Sequence, residues 1–388
     1  MTVHRLRPFT VNVFASTSAL AARLDAVNLG QGFPDEDGPA AMLEVARQAI
    51  ADGFNQYPPG AGIPELRRAV AAQRQRRYGM DFDPENEILV TVGASEAIAA
   101  AVLGLVEPGS EVLVIEPFFD TYAPVIAMAG AHRVAVPLAT EGDGFVLDVD
   151  AVRAAITPRT CAMIINSPHN PTGMVLADAE LAALATLADA ADLLVISDEV
   201  YEHLTFDGLQ HRPIATYPGM AQRTVTISSA AKMFNCTGWK IGWACGSPEL
   251  IAGVRTAKQY LSYVAGGPFQ PAVAYALDNE DTWVIGLRDS LQSRRDLLAT
   301  ALETIGFEVQ RCSGTYFPCA DPRPLGFADG TQFCEELPYK IGVAAIPMSA
   351  FGEPTGEVSQ WNHLVRFAFC KREATLAEAV ARLTALSS

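Results

Sequence analysis

The chain reads as an α/β protein, with a mostly parallel seven-stranded sheet covered by helices and then a smaller α+β domain. Three observations carry this reading. From residue 88 to about 246, short near-continuous apolar runs alternate with longer Ala/Leu-rich segments, as expected of strands buried on both faces and joined by crossover helices. After residue 248 the pattern turns helical and then mixed. Finally, 388 residues with 49% apolar and 19% charged side chains are more than one core usually accommodates, so two domains are expected.

Taken in order, residues 1–35 form an N-terminal arm contributing to the small domain, 36–275 the large domain and 276–388 the C-terminal small domain. Pro39 opens a helix that Gly53 closes. The strand candidates are 88-ILVTV-92, 111-EVLVI-115, 132-HRVAV-136, 160-TCAMII-165, 193-LLVIS-197, 223-RTVTI-227 and 239-WKIGWAC-245. Helical candidates at 95–106, 120–130 and 178–191 lie between several of them. A long periodic helix covers 281–306, strands follow near 314–320, 342–346 and 364–369, and a last helix starts near 374.

Composition narrows the partners. A net charge of −16 and a pI near 4.8 argue against nucleic acid and anionic membranes, both of which require clustered Lys and Arg. No apolar run approaches the roughly 20 residues of a membrane span. Seven cysteines without C-x-x-C spacing fit a reducing cytosol. Arg5, Arg7 and 19-ALAA-22 faintly resemble a secretory signal, but Asn12, Ser16, Thr17, Ser18, Arg23 and Asp25 interrupt it, so a cytoplasmic location is expected.

In an open α/β sheet the ligand crevice lies beyond the carboxyl ends of the strands. Here those ends lead into 93-GASEA-97, 116-EPFFDTY-122, 166-NSPHNPTG-173, 198-DEVY-201 and 228-SSAAK-232. Gly93 to Ser95 begin a helix, where free N–H groups favour an anion, although such turns also carry Gly and Ser for geometry alone. Asp198 ends an apolar strand and needs a partner; a helix cap or an internal salt bridge would also supply one. Lys232, one of five lysines, sits among small and apolar residues. Such a site depresses an amine pKa and suits attack on a carbonyl, with a solvated loop lysine as the alternative. The Ser-Pro and Asn-Pro bonds of the 167–173 loop raise the chance of cis peptides and of a rigidly held Asn170, against an ordinary turn. Arg366 interrupts 364-LVRFAF-369 and needs an anion, either a ligand carboxylate or a structural ion pair.

Together these pieces resemble the class I/II aminotransferases of fold type I, which use pyridoxal 5′-phosphate. The resemblance runs from about residue 20 to the C-terminus on 29-LGQGFPD-35, 57-YPPGAGIPEL-66, 93-GASEA-97, 170-NPTG-173, 198-DEVY-201, 229-SAAK-232, 238-GWKIG-242 and 366-RFAF-369. It implies that Lys232 carries the cofactor and shuttles a proton, that Asp198 pairs with the pyridine nitrogen, and that Asn170 and Tyr201 bond the ring oxygen. Phe119 would stack on the ring. Ala94, Ser95, Ser229 and Lys240 would hold the phosphate, and Tyr57 would reach the phosphate of a neighbouring subunit, which makes a homodimer. Arg366 and the Gly32 backbone would take the substrate carboxylate.

Lys240 and Phe119 depart from the arginine and tryptophan typical of aspartate aminotransferases. Lys240, together with 116-EPFFDTY-122 and 29-LGQGFPD-35, resembles the branch holding kynurenine/glutamine transaminases, methionine aminotransferases and actinobacterial N-succinyldiaminopimelate aminotransferases. Residues 228–246 and 341–351 look closest to the last of these. The resemblance therefore implies ping-pong transfer from an amino acid, glutamate in the first instance, to a 2-oxo acid in lysine/diaminopimelate biosynthesis. Its alternatives are a broad kynurenine/glutamine/methionine transaminase and a cysteine-S-conjugate or cystathionine β-lyase. A dinucleotide-binding dehydrogenase is disfavoured because no G-x-G-x-x-G follows the first strand. A cofactor-binding regulator would need a nucleic-acid module for which the acidic chain leaves no room. No metal site is expected.

Overall fold

The computed structural model describes residues 2–10, 12–353 and 359–387. Its central sheet contains Ile88–Val92 (β1), Glu111–Glu116 (β2), His132–Pro137 (β3), Thr160–Asn166 (β4), Leu194–Asp198 (β5), Thr224–Ser229 (β6) and Ile241–Cys245 (β7). The spatial order is β1-β7-β6-β5-β4-β2-β3. Strand β7 runs antiparallel to both its neighbours, β1 and β6. All other pairings are parallel.

The central strands are largely apolar because both faces are covered. Leu113, Ile115, Met163, Ile165 and Val195 point to one side and pack with Leu181, Leu184 and Ala188 of the helix Asp178–Ala190. Val112, Val114, Ala162, Ile164 and Ile196 point to the other and meet Ala97 and Ala101 of the helix Gly93–Leu105. Consecutive residues thus serve opposite cores, the period of two that a pleated strand imposes.

The C-terminal region builds a four-stranded antiparallel sheet from Glu308–Val309, Cys319–Asp321, Val365–Arg366 and Ile346–Pro347. The N-terminal arm joins this region, since Val27–Asn28 pairs in parallel with Val343–Ala344. Val27 and Leu29 share a core with Leu298, Leu302, Phe333 and Leu376. The single strand expected over 342–346 is therefore two short pieces serving two different sheets. Those expected at 314–320 and 364–369 shorten to Cys319–Asp321 and Val365–Arg366. The strand expected from Trp239 starts at Ile241, because Thr237–Trp239 forms a 3-10 turn and Lys240 is left-handed at φ 54°. The arm also holds an unexpected helix, Val13–Leu24, whose N-cap Asn12 accepts a hydrogen bond from the Ala15 N–H at 2.9 Å. The Glu116–Pro117, Ser167–Pro168 and Asn170–Pro171 peptides are cis.

Beneath the sheet rim lies a buried ion cluster. Arg74, on the helix Pro64–Tyr78, is fully buried and donates to Glu199 at 3.2 Å and to both carboxylate oxygens of Glu202 at 3.0 Å. Ser197 donates to Glu199 at 2.9 Å and Ser228 to Glu202 at 2.5 Å. One guanidinium therefore fastens a covering helix to the ends of β5 and β6. Arg74→Met would leave two buried carboxylates without their cation, and a loss of about 3–5 kcal/mol in unfolding free energy is expected, measured by urea denaturation. A change under about 1 kcal/mol would show that the cluster is not what fastens the rim.

Candidate active site

The sheet rim opens into a cavity of about 340 Å³. Gly32, Ala94, Ser95, Phe119, Asn170, Asp198, Tyr201, Ser229, Lys232, Lys240 and Arg366 all line it. The parallel strands deliver most of these from their carboxyl ends. Lys240 arrives differently: it precedes β7, and because β7 is antiparallel its first residues lie at the same rim, with Ile241 opposite Val92 and Gly242 opposite Ser229.

At one end the helix Gly93–Leu105 begins without a side-chain cap. A Cβ on Gly93 would stand 3.2 Å from the Lys240 ammonium, so this cation overhangs the helix start. Gly242 preserves the cradle, since a Cβ there would meet the Gly93 carbonyl carbon at 2.6 Å and the Ala94 nitrogen at 2.8 Å. A helix N-terminus, a lysine and the adjacent Ser229 form an anion site of phosphate size.

In the middle, Asp198 is 3% exposed and accepts the Tyr122 hydroxyl at 2.7 Å. Neither the helix cap nor the salt bridge considered for Asp198 is what holds it among the described residues. Burial lifts its carboxyl to about 6, against the lowering effect of the Tyr122 hydrogen bond. This carboxylate suits a buried cationic partner such as a ring N–H. Lys232, on the short helix Ala230–Met233, donates to the Tyr316 hydroxyl at 2.8 Å. Burial lowers its amine to about 8.

At the far end, Arg366 is 2% exposed, donates to Asn170 Oδ1 at 2.8 Å and to the Gly30 carbonyl at 3.2 Å, and leaves Nε without a partner. Phe317, Phe351 and Phe14 surround its guanidinium at 3.8, 4.5 and 5.5 Å. Burial lowers it to about 10. No carboxylate pairs with it among the described residues, so the structural ion pair weighed for Arg366 is not formed. The strand instead presents a desolvated cation to the cavity.

Tyr57 stands apart, being 81% exposed and packed edge-on to Tyr263 at 5.6 Å. Within one chain it does not reach the cavity. Conversely, sequence reasoning missed Tyr122, Tyr316, Asp120, Asn166 and the arm residues Asn12 and Phe14, all of which meet the site or its side chains. The apolar setting of Tyr122 made it look like core, and only its position two residues beyond Asp120 in 116-EPFFDTY-122 marked it.

The family model for aminotransferase class I and II matches residues 25–383. The chain belongs to this family. A probable N-succinyldiaminopimelate aminotransferase of Mycobacterium tuberculosis is 69% identical over 100% of this chain and 99% of its own length. The solved structure of N-succinyldiaminopimelate aminotransferase from that organism superposes with a TM-score of 0.98, covering 100% of both chains. A methionine aminotransferase of Escherichia coli is 37% identical over 98% of this chain and 97% of its own. As in the rest of the family, the cofactor of this aminotransferase is pyridoxal phosphate. The uncapped helix start beneath Lys240 and the buried Asp198 carboxylate, which pairs with no cation among the described residues, fit its phosphate and its ring nitrogen.

The raised Asp198 value has a sign that can be measured. Between about pH 4 and about pH 6 the folded state holds a proton at Asp198 that the unfolded state has released, so its contribution to stability declines as pH rises through that window. In cofactor-free protein, Asp198→Asn is therefore expected to raise the unfolding free energy more at about pH 7.5 than at about pH 4.5, by up to roughly 3 kcal/mol, read by urea denaturation at each pH. Equal changes at both pH values would refute the raised value of the buried carboxylate.

Proposed function

We propose that this aminotransferase moves the amino group of glutamate to N-succinyl-2-amino-6-oxopimelate by a ping-pong mechanism, in the route to diaminopimelate and lysine. The observation that carries the substrate is the 69% identity, over the whole chain, to the M. tuberculosis protein named for it. Relatives named for methionine and for kynurenine stand at 37%, which makes a broad transaminase the weaker reading.

The residue roles follow from the chemistry at each position. Bound pyridoxal phosphate supplies a conjugated cationic ring that draws electron density away from the substrate Cα. Asp198 holds the proton on the ring nitrogen, while Phe119 covers the ring face. Asn170 spends its carbonyl oxygen on Arg366, so its amide N–H groups are free to donate, with the Tyr201 hydroxyl, to the ring oxygen. The backbone of Ala94 and Ser95, the Ser229 hydroxyl and the Lys240 ammonium hold the phosphate. Arg366 and the backbone at Gly32 hold the substrate carboxylate. The Lys232 amine then takes the proton from Cα: its nitrogen gains an N–H bond, and the C–H electron pair stays on carbon. A value near 8 keeps a useful fraction of this amine neutral at physiological pH.

We further infer a cytoplasmic homodimer in which the exposed Tyr57 reaches the phosphate held by the neighbouring subunit. The chain is divided as an arm at 1–35, a large domain at 36–275 and a small domain at 276–388, whose end positions 1 and 388 lie outside the described residues.

Pyridoxal-to-pyridoxamine conversion, followed spectrally with glutamate, glutamine, methionine, kynurenine and N-succinyldiaminopimelate, tests the substrate. The expected ranking puts N-succinyldiaminopimelate and glutamate first, and faster turnover of methionine or kynurenine would overturn it. Lys232→Ala should cut the half-reaction at least about 100-fold. Arg366→Ala should raise KM for amino and oxo acids alike by roughly 10- to 100-fold, read by steady-state kinetics.

A further inference from the structure

Tyr316 occupies a backbone position that is costly to build. Thr315, immediately before it, is a fully buried β-branched residue at φ 66°, a conformation such residues rarely adopt. Left-handed backbone at a non-glycine residue is strained and persists only where its surroundings enforce it. Here they do: the Thr315 N–H donates to Leu204 O at 2.9 Å, and the Gly314 N–H to Gly173 O at 2.8 Å. The Thr315 hydroxyl accepts from the Phe317 N–H at 3.3 Å. The strained turn delivers the Tyr316 ring edge-on to Tyr201 at 5.2 Å.

The hydrogen bonds of its hydroxyl are then constrained. Tyr316 donates its one proton to the Gly32 carbonyl at 2.6 Å, so toward Lys232 it can only accept, and the lysine donates to it at 2.8 Å. A second, longer contact runs from Lys232 Nζ to the Gly32 carbonyl at 3.5 Å. In the neutral amine these two oxygens can take both N–H bonds, which leaves the lone pair as the position neither of them holds, on a side chain that lines the cavity.

We propose that Tyr316 is a positioning residue for proton transfer, holding the free Lys232 amine by its N–H bonds so that its lone pair addresses the substrate Cα. The inference rests on Lys232 being the proton-shuttling lysine. It also fixes a sign. An acceptor oxygen bonds an ammonium more strongly than an amine, so Tyr316 supports the charged form against the lowering effect of burial.

Tyr316→Phe keeps the ring and removes only the oxygen. The holoenzyme is converted to its pyridoxamine form, which frees the lysine. Trace acetylation across a pH series, with peptide mass spectrometry, then gives the titration midpoint of Lys232. The expected result is a midpoint lowered by at least about 0.5 in pH, together with exchange of the glutamate Cα hydrogen slowed roughly 10- to 100-fold at a KM within about twofold of wild type. An unchanged midpoint or unchanged exchange overturns the proposal. So does a variant that no longer folds, because the hydroxyl would then be a strut for the Gly32 loop. Wild-type protein that fails to exchange the Cα hydrogen would instead overturn the reading of Lys232 on which the proposal stands.

Discussion

The site depends on Arg74, which never touches it. Two carboxylates, Glu199 and Glu202, lie buried directly after Asp198, and a pair of uncompensated charges there would be costly enough to pull the β5 end toward water. Arg74 pairs with both from the covering helix, one cation shared between the two. Ser197 and Ser228 carry the same hydrogen-bond network back into β5 and β6. The positions of Asp198 at one strand end and of Ser229 and Lys232 at the next are thus fixed from below, by a shared ion and hydrogen-bond cluster, before any ligand enters.

Above that layer the cavity is graded. One end offers an exposed ammonium over a helix start, the middle a buried carboxylate and a half-buried amine, and the far end a buried guanidinium walled by three phenylalanines. An occupant that satisfies all three must carry an anion at each end and a cation near its centre. An amino acid joined to pyridoxal phosphate has that distribution of charge.

Much of this is legible in the sequence, because it rests on polar residues placed where apolar ones are due. Asp198 at the end of an apolar strand, Lys232 in a run of small residues and Arg366 within an apolar pattern each broke a local rule, and each lines the cavity. The strands of the large sheet were readable for the converse reason, since burial on both faces leaves an uninterrupted apolar run. Tyr122 and Tyr316 broke no rule. A buried tyrosine in an apolar context looks like packing until its hydroxyl is seen to have a partner. Asn12 and Phe14 escaped because long-range pairing of the arm with residues 343–344, which no local signal encodes, carries them to the cavity. The strands near 314–320 and 342–346 were overestimated for a related reason, since short pieces trade partners between sheets within a few residues.

The reversed direction of β7 gives the intervening segment a property of its own. A parallel neighbour would have required a crossover of a dozen residues or more, carrying the chain to the opposite end of the sheet and back. Residues 230–240 instead stay on one rim, folded into two short turns with Asn235 and Lys240 both left-handed. The segment is a ruler: its length sets the separation between the amine at 232 and the ammonium at 240. Adding or removing one residue would alter the span between the two nitrogens and disturb the buried Met233, Phe234 and Cys236 that the segment also carries, so the size of the molecule that fits between them is tied to chain length as well as to side chains.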